Sequence, residues 1–247
     1  MAEPLHHPEL VPPPDLAVCF GGGDFAALGR EMVGLMRELG LHPASRVLDI
    51  GCGAGRIAHA LLPVLVPAGT YEGFDLFPTG IKWCAERYHP RFPSFRFRHV
   101  PVYNRLYYPY GTVRADSFTF PYPDASFDLA VASSVFTHMF PADVEHYLDE
   151  VRRVLAPGGG LLATFFLLDQ ETREAMAAGR TNPAFPLRYG SFAIADPASP
   201  EDAVAYDAEF TAKLLAAKGA HILRTTRGTW RGSPGETYQD AVLAAFG

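Results

Sequence analysis

Val47-Leu48-Asp49-Ile50-Gly51-Cys52-Gly53-Ala54-Gly55-Arg56 decides the fold. A short apolar, β-branched run carries one acidic residue and then enters a loop with glycine at every second position. An amphipathic run follows, so the stretch reads as strand, tight turn and helix opening. Glycine belongs there because backbone without a Cβ can take left-handed conformations and can approach a ligand closely. The spacing is G-x-G-x-G, with Arg56 in the sixth position, where a dinucleotide fingerprint G-x-G-x-x-G has its last glycine.

Working outward, apolar and helical periodicities alternate along the chain. Phe25, Leu28, Met32, Leu35, Met36 and Leu39 recur at helical spacing, and Gly40 stops that helix. The pattern predicts strands at about 46–50, 70–75, 95–100, 127–132, 161–167, 221–226 and 240–245. Helices are predicted at about 56–65, 79–88, 144–155 and 207–218. Residues 95–100 alternate apolar with polar or basic, as an edge strand does, while 127–132 reads as a buried central strand. This alternation implies an α/β, doubly wound, mostly parallel sheet, with ligands beyond the carboxyl ends of its strands. The expected organisation is an N-terminal Pro/Gly-rich segment and lid over residues 1–24, then one domain over 25–247. Residues 169–206, rich in Pro and Gly with little periodicity, are expected as an inserted cap.

Composition narrows the class. The chain has 247 residues, 48% hydrophobic and 19% charged, enough for one large α/β domain. Its net charge of −6 argues against a phosphate backbone as the main partner. Three cysteines, Cys19, Cys52 and Cys84, have no metal-ligand spacing, so no metal is expected, and a reduced cytoplasmic setting is. No run approaches a membrane span, and the N-terminus lacks an apolar signal core. His6 and His7, in a Pro-rich tail, are read as solvated.

Two carboxylates qualify the loop. Asp49 precedes the first glycine, where it faces a cation more favourably than a pyrophosphate. Asp75 ends the second strand, about twenty residues on, where a carboxylate either accepts from ribose hydroxyls or caps a turn. Leu76 and Phe77 follow and are placed to cover an adenine face.

With these residues in hand, the chain resembles the class I S-adenosylmethionine-dependent methyltransferases. Val47 to Arg56 resembles that family's first motif and Tyr71 to Asp75 its second. Phe120-Pro121-Tyr122-Pro123-Asp124-Ala125-Ser126-Phe127-Asp128-Leu129 resembles the segment entering the fourth strand. Val151-Arg152-Arg153-Val154-Leu155-Ala156-Pro157-Gly158-Gly159 resembles the helix and turn before the fifth. In order, the motifs cover about residues 46–167. The resemblance implies a seven-stranded sheet with one antiparallel strand near the C-terminus. It implies S-adenosylmethionine as cofactor, leaving as S-adenosylhomocysteine, in a site of Asp49, Gly51, Cys52, Gly53, Arg56, Asp75, Leu76, Phe77, Val102 and Ser133. One departure stands out: the family's acidic residue after strand three falls on Pro101. The adenine reader is then the Val102 backbone or, with an insertion before it, Asp116; the clearer strand pattern favours Val102.

The implied reaction is methyl transfer to a small-molecule acceptor, a hydroxyl oxygen first, a nitrogen or carbon second. His138, in Ser133-Ser134-Val135-Phe136-Thr137-His138-Met139, is the candidate base; the alternative is a helix cap or pocket wall. His99 and His146 are weaker candidates. The segment 20–25 is read as a lid or as a simple connector. The aromatics Tyr103, Tyr107, Tyr108, Tyr110, Phe118 and Phe120 line the acceptor pocket or merely pack under a loop. Arg188 and Tyr189 are placed to reach substrate from the cap. Trp230 and Tyr238-Gln239-Asp240 are read as structural or as a dimer contact. A nucleic-acid methyltransferase is disfavoured by the acidic balance and by the lack of an Asn/Asp-Pro-Pro-Tyr-type motif. A non-catalytic cofactor-binding protein and an NAD-dependent dehydrogenase are further alternatives.

Overall fold

The structure is a computed structural model that describes residues 7–247; His6 lies outside the described residues. The chain winds around β1 (Arg46–Ile50), which pairs in parallel with β2 (Thr70–Asp75) on one side and β4 (Phe127–Ala132) on the other. β3 (Phe95–His99) lies outside β2, and β5 (Leu155–Leu168) continues beyond β4. β10 (Asp240–Phe246) runs antiparallel to β5 and to β9 (Ala220–Thr225). These seven strands include the expected reversed strand near the C-terminus.

Among the described residues the sheet nonetheless has ten strands, not seven. Pairing with β4 ends at Ala132 opposite Ala163, leaving the last residues of β5 in need of backbone partners. β8 (Val204–Asp207) supplies them in parallel to Phe166, Leu167 and Leu168, and β7 (Phe192–Ile194) and β6 (Leu187–Tyr189) follow as a hairpin. Residues 169–206 therefore comprise α6 (Gln170–Ala177) and three short strands that prolong the sheet. Strands of three or four residues among Pro and Gly are too short to show a period, which is why they were not expected from the sequence.

Helices cover both faces. After the short α1 (Pro14–Val18), α2 (Phe25–Glu38), α3 (Arg56–Leu65) and α4 (Pro78–Tyr88) bury their apolar sides with Val47, Tyr71, Leu129 and Val131. α5 (Pro141–Val154) and α7 (Ala208–Ala217) pack on the other face, with Leu48, Ile50 and Phe74. The alternation of Val47 and Leu48 between the two clusters is the period of two of a strand, and it places Asp49 on the α2–α4 side. α2 and α3 touch closely at Gly29, where an added Cβ would stand 2.5 Å from the Arg56 carbonyl oxygen.

The C-terminal strands are locked by Asp240, which is fully buried. It accepts from the Leu167 and Gly228 amides, Trp230 Nε1 and Arg231 Nε, at 2.6–2.9 Å. Arg231 also donates to Asp169, the cap of α6. Gln239 Oε1 accepts from Ser134 and Thr164. Trp230, Gln239 and Asp240 thus hold the chain together internally, while Tyr238 is half-exposed and donates to the Asn182 carbonyl.

Candidate active site

The glycine loop leaves β1 with Gly51, Gly53 and Gly55 all left-handed, at φ +71°, +55° and +82°. The Gly51 and Cys52 amides donate to the Phe74 carbonyl at 2.9 and 3.0 Å, clipping the loop onto β2. Asp75 completes the clip, accepting from the Gly53 amide at 2.8 Å and, on its other oxygen, from the Phe77 amide at 2.7 Å. Both oxygens keep a lone pair, and the carboxylate borders a cavity of about 220 Å³ beyond the strand ends.

Asp49 borders the same cavity and is buried. One of its oxygens accepts from the Tyr71 hydroxyl at 2.6 Å; the other, Oδ1, has no hydrogen-bond partner among the described residues. Burial, with the Asp75 charge adding to it, pushes the Asp49 carboxyl up to about 7. Burial raises the Cys52 thiol well above its ordinary value too, so it is a neutral apolar wall.

Of the other residues expected here, Leu76, Val102 and Ser133 border the cavity. One expectation needs correction. Phe77 is not among the cavity's lining residues; its ring packs edge-on against Phe20 at 5.4 Å. Arg56 does border it, but its Nη2 donates to the Phe20 and Gly22 carbonyls at 3.2 and 2.8 Å, so it holds the N-terminal loop. Ala17, Phe20, Gly21 and Phe25 accordingly form part of the wall. The segments at 101–103 and 111–113 lie side by side, with the Tyr103 amide donating to Val113 O and the Val113 amide to Pro101 O. Residues 104–110 thus form an excursion between the two. Asp116 is engaged by Arg114, whose guanidinium holds the carboxyl below its ordinary value, and Ala115 rather than Asp116 faces the cavity.

The far end of the cavity is built by side chains from distant segments. His138 stands there, with Nδ1 2.9 Å from the Glu201 carbonyl and Nε2 3.3 Å from the Tyr107 hydroxyl. Burial holds its imidazole below the ordinary value. Asn104, Ser134, Val135, Met139 and Tyr147 complete the wall. Ser134 is left-handed at φ +55° and is held by Thr164 and Gln239. Asn104, Ser134 and Glu201 had no local sequence signal, since each acts through partners more than 25 residues away.

The aromatics divide. Tyr103 and Tyr107 border the cavity, Phe118 and Phe120 pack with Phe74 and Tyr147, Tyr108 packs on His99, and Tyr110 is 83% exposed. His99 and His146 each face a backbone carbonyl. Arg188 pairs with Asp207, and neither it nor Tyr189 reaches this cavity.

Residues 48–163 match a family model described as a methyltransferase domain. This region is a class I, S-adenosylmethionine-dependent methyltransferase domain. Its relatives span several acceptors. The domain is similar to a probable phthiotriol/phenolphthiotriol dimycocerosates methyltransferase 2 of Mycobacterium ulcerans, 37% identical over 114 residues, covering 46% of this chain and 36% of the relative. It is similar to the 27-O-demethylrifamycin SV methyltransferase of Amycolatopsis mediterranei, 35% identical over 130 residues, covering 53% and 42%. The chain thus spans less than half the length of either relative. In fold it resembles the Burkholderia thailandensis 1,6-didemethyltoxoflavin-N1-methyltransferase, solved with that substrate and S-adenosylhomocysteine, at TM-score 0.57 and 19% identity over 90% of this chain and 79% of that one. Among the described residues, no helix of the chain is long and apolar enough to cross a membrane.

Proposed function

We propose that this chain binds S-adenosylmethionine in the cavity and moves its methyl group to a hydroxyl oxygen of a small neutral acceptor, with His138 as base. The observation that carries the reading is Asp49 Oδ1, a buried carboxylate oxygen without a donor at the glycine-loop end of the cavity. Such an atom is costly unless a cation or donor meets it. The ammonium of the cofactor's amino-acid end is such a group. The loop glycines are required by the packing of the cavity wall: a Cβ on Gly51 or Gly53 would strike Val135 or Phe20 at 2.5 and 2.8 Å. Asp75 would accept from ribose hydroxyls with its spare lone pairs, Leu76 would cover the adenine, and Val102 would meet its edge.

When bound, the cofactor supplies a methyl on a sulfonium, whose leaving group is neutral. The chain then has to align the acceptor, exclude water and take a proton. Phe20, Phe25, Ile57, Val135, Met139 and Tyr147 make the remaining wall largely apolar. That lining, with a net charge of −6, suits a small neutral acceptor better than a nucleic acid. His138, neutral at physiological pH, offers a lone pair at this end.

The test is transfer of labelled methyl to candidate alcohols, phenols and amines, with the product's methylated atom identified by mass spectrometry. Replacing His138 with Ala lowers turnover at least tenfold and leaves S-adenosylhomocysteine affinity intact. Unchanged turnover removes His138 as the base, and a measured NAD affinity above that for S-adenosylhomocysteine overturns the cofactor.

A further inference from the structure

Three segments far apart in sequence meet at the acceptor end: residues 104–108, His138 and Glu201. Their hydrogen bonds fix a direction for a proton. The Glu201 carbonyl can only accept, so His138 Nδ1, 2.9 Å away, carries the hydrogen. Nε2 of the neutral ring then holds a lone pair, and the Tyr107 hydroxyl at 3.3 Å donates to it. The two rings meet edge-on, with centroids 5.2 Å apart, and both border the cavity.

This arrangement is held from both sides. Asn104 Oδ1 accepts from the Leu106 and Tyr107 amides at 3.0 and 2.9 Å, and Asn104 Nδ2 donates to the His138 carbonyl at 3.4 Å. Glu201 Oε2 accepts from the Arg105 amide at 2.8 Å. Glu201 therefore fixes the tautomer of His138 through its carbonyl and the turn bearing Tyr107 through its carboxylate. An acceptor hydroxyl entering the cavity finds the lone pair of His138 already engaged by Tyr107.

We propose that Tyr107 is a catalytic residue that receives the acceptor's proton while passing its own to His138, with Glu201 as the positioning residue. This rests on the hydroxyl-acceptor reading above. In the step, the acceptor oxygen forms its bond to the methyl carbon, and the carbon–sulfur bond breaks with its electron pair going to sulfur. The acceptor O–H proton moves to Tyr107 Oη, and the Tyr107 proton moves to His138 Nε2. The positive charge lost from sulfur reappears on the imidazolium, which returns a proton to solvent. Burial pushes the Tyr107 hydroxyl up to about 12, so it stays neutral and the two protons move together.

The test uses the full chain, its Tyr107→Phe, His138→Ala and double variants, and Glu201→Ala. Phenol and 1-naphthol serve as acceptors beside 4-nitrophenol, which is already ionised in mildly alkaline buffer. Tyr107→Phe is expected to lower kcat at least tenfold on phenol and 1-naphthol, with little change on 4-nitrophenol or in S-adenosylhomocysteine affinity. The double variant is expected to be no slower than His138→Ala. In ¹⁵N-histidine spectra, His138 is expected with Nε2 unprotonated, its signal displaced by Tyr107→Phe, and Glu201→Ala is expected to mix the tautomers. Equal or faster turnover of Tyr107→Phe on phenol makes Tyr107 a plug that the acceptor displaces and overturns the relay. An Nε2-protonated His138 overturns it independently of activity. Wild-type protein that methylates none of the three phenols overturns the oxygen-acceptor reading and the relay with it.

Discussion

The two ends of the cavity are made in opposite ways. The glycine-loop end is assembled from β1, β2 and the turns that directly follow them, and backbone amides do much of the work: Gly51, Cys52, Gly53 and Phe77 all donate to Phe74 or Asp75. The acceptor end is assembled from side chains of residues 104–107, 133–139 and 201, joined by contacts spanning 30 or more positions. Backbone geometry fixed by local sequence suits a ligand that never changes. Side chains borrowed from loops can be exchanged without disturbing the sheet. The difference implies that damage to the first end reads out in cofactor affinity and damage to the second in turnover.

The largest expected effect tests whether the ends are separable at all. Gly51→Ala places a Cβ at φ +71°, 2.5 Å from Val135 Cγ2. The left-handed strain alone costs about 1–2 kcal/mol, and displacement of Val135 adds to it. S-adenosylhomocysteine affinity is expected to fall roughly 100-fold by calorimetry, about 3 kcal/mol, and turnover to fall as well because Val135 lines the acceptor end. Gly158→Ala is the control: its φ of +79° brings the strain without a neighbour to strike. It is expected to lower stability slightly and leave affinity unchanged.

Asp49→Asn addresses charge at the first end alone. In the folded protein the carboxyl is raised from 3.8 to about 7. It therefore binds a proton between those values that the unfolded chain has released. The ligand-free protein loses stability as pH rises from about 4 to about 7, and the Asn variant is expected to lack that slope in thermal melts. Binding a cation beside Asp49 requires the proton to leave. Affinity is expected to fall as pH drops below about 7, approaching tenfold per unit. The Asn variant is expected to bind about tenfold more weakly at pH 8, with its remaining pH dependence reporting only the ligand's own amine. Equal pH profiles for the two proteins would place the cation elsewhere.

Asn104→Ala cuts at the second end. It removes two acceptor bonds that shape the turn and one donor to His138. At about 1 kcal/mol per bond, partly recovered by water, turnover is expected to drop about fivefold with S-adenosylhomocysteine affinity unchanged. Loss of affinity instead would show that the ends are coupled through this turn.

The same contrast explains what the sequence disclosed. β1, α3 and β4 fall where their apolar patterns put them, because each is buried on a face that its own residues encode. The loop glycines were legible because a left-handed turn leaves few alternatives. Arg56 stands beside that loop, yet its Nη2 hydrogens go to Phe20 and Gly22, 36 and 34 positions earlier. Phe77 followed Asp75 in sequence but turns onto Phe20. Ser134 and Glu201 carry no periodic or motif signal at all. Strands β6 to β8 escaped because their reason for forming is the unpaired end of β5, a property of the assembled sheet.

Arg56 supplies the smallest and sharpest of these tests. Its position in the loop suggests contact with the cofactor's carboxylate, and its hydrogen bonds suggest a latch for residues 20–22. Gly21, Gly22 and Gly23 are all left-handed, at φ +86°, +59° and +77°, conformations that glycine adopts most readily. Arg56→Gln retains much of the side-chain length but loses the charge and most donors. As a latch, its loss frees the segment that carries Phe20, and S-adenosylhomocysteine is expected to leave about threefold faster in stopped flow. Cleavage by protease near residues 21–23 is expected to quicken in parallel, and kcat to change little. As a direct carboxylate ligand, its loss would weaken binding tenfold or more while leaving proteolysis untouched. The two readouts move together only if the cofactor end, like the acceptor end, is closed by a segment borrowed from elsewhere in the chain.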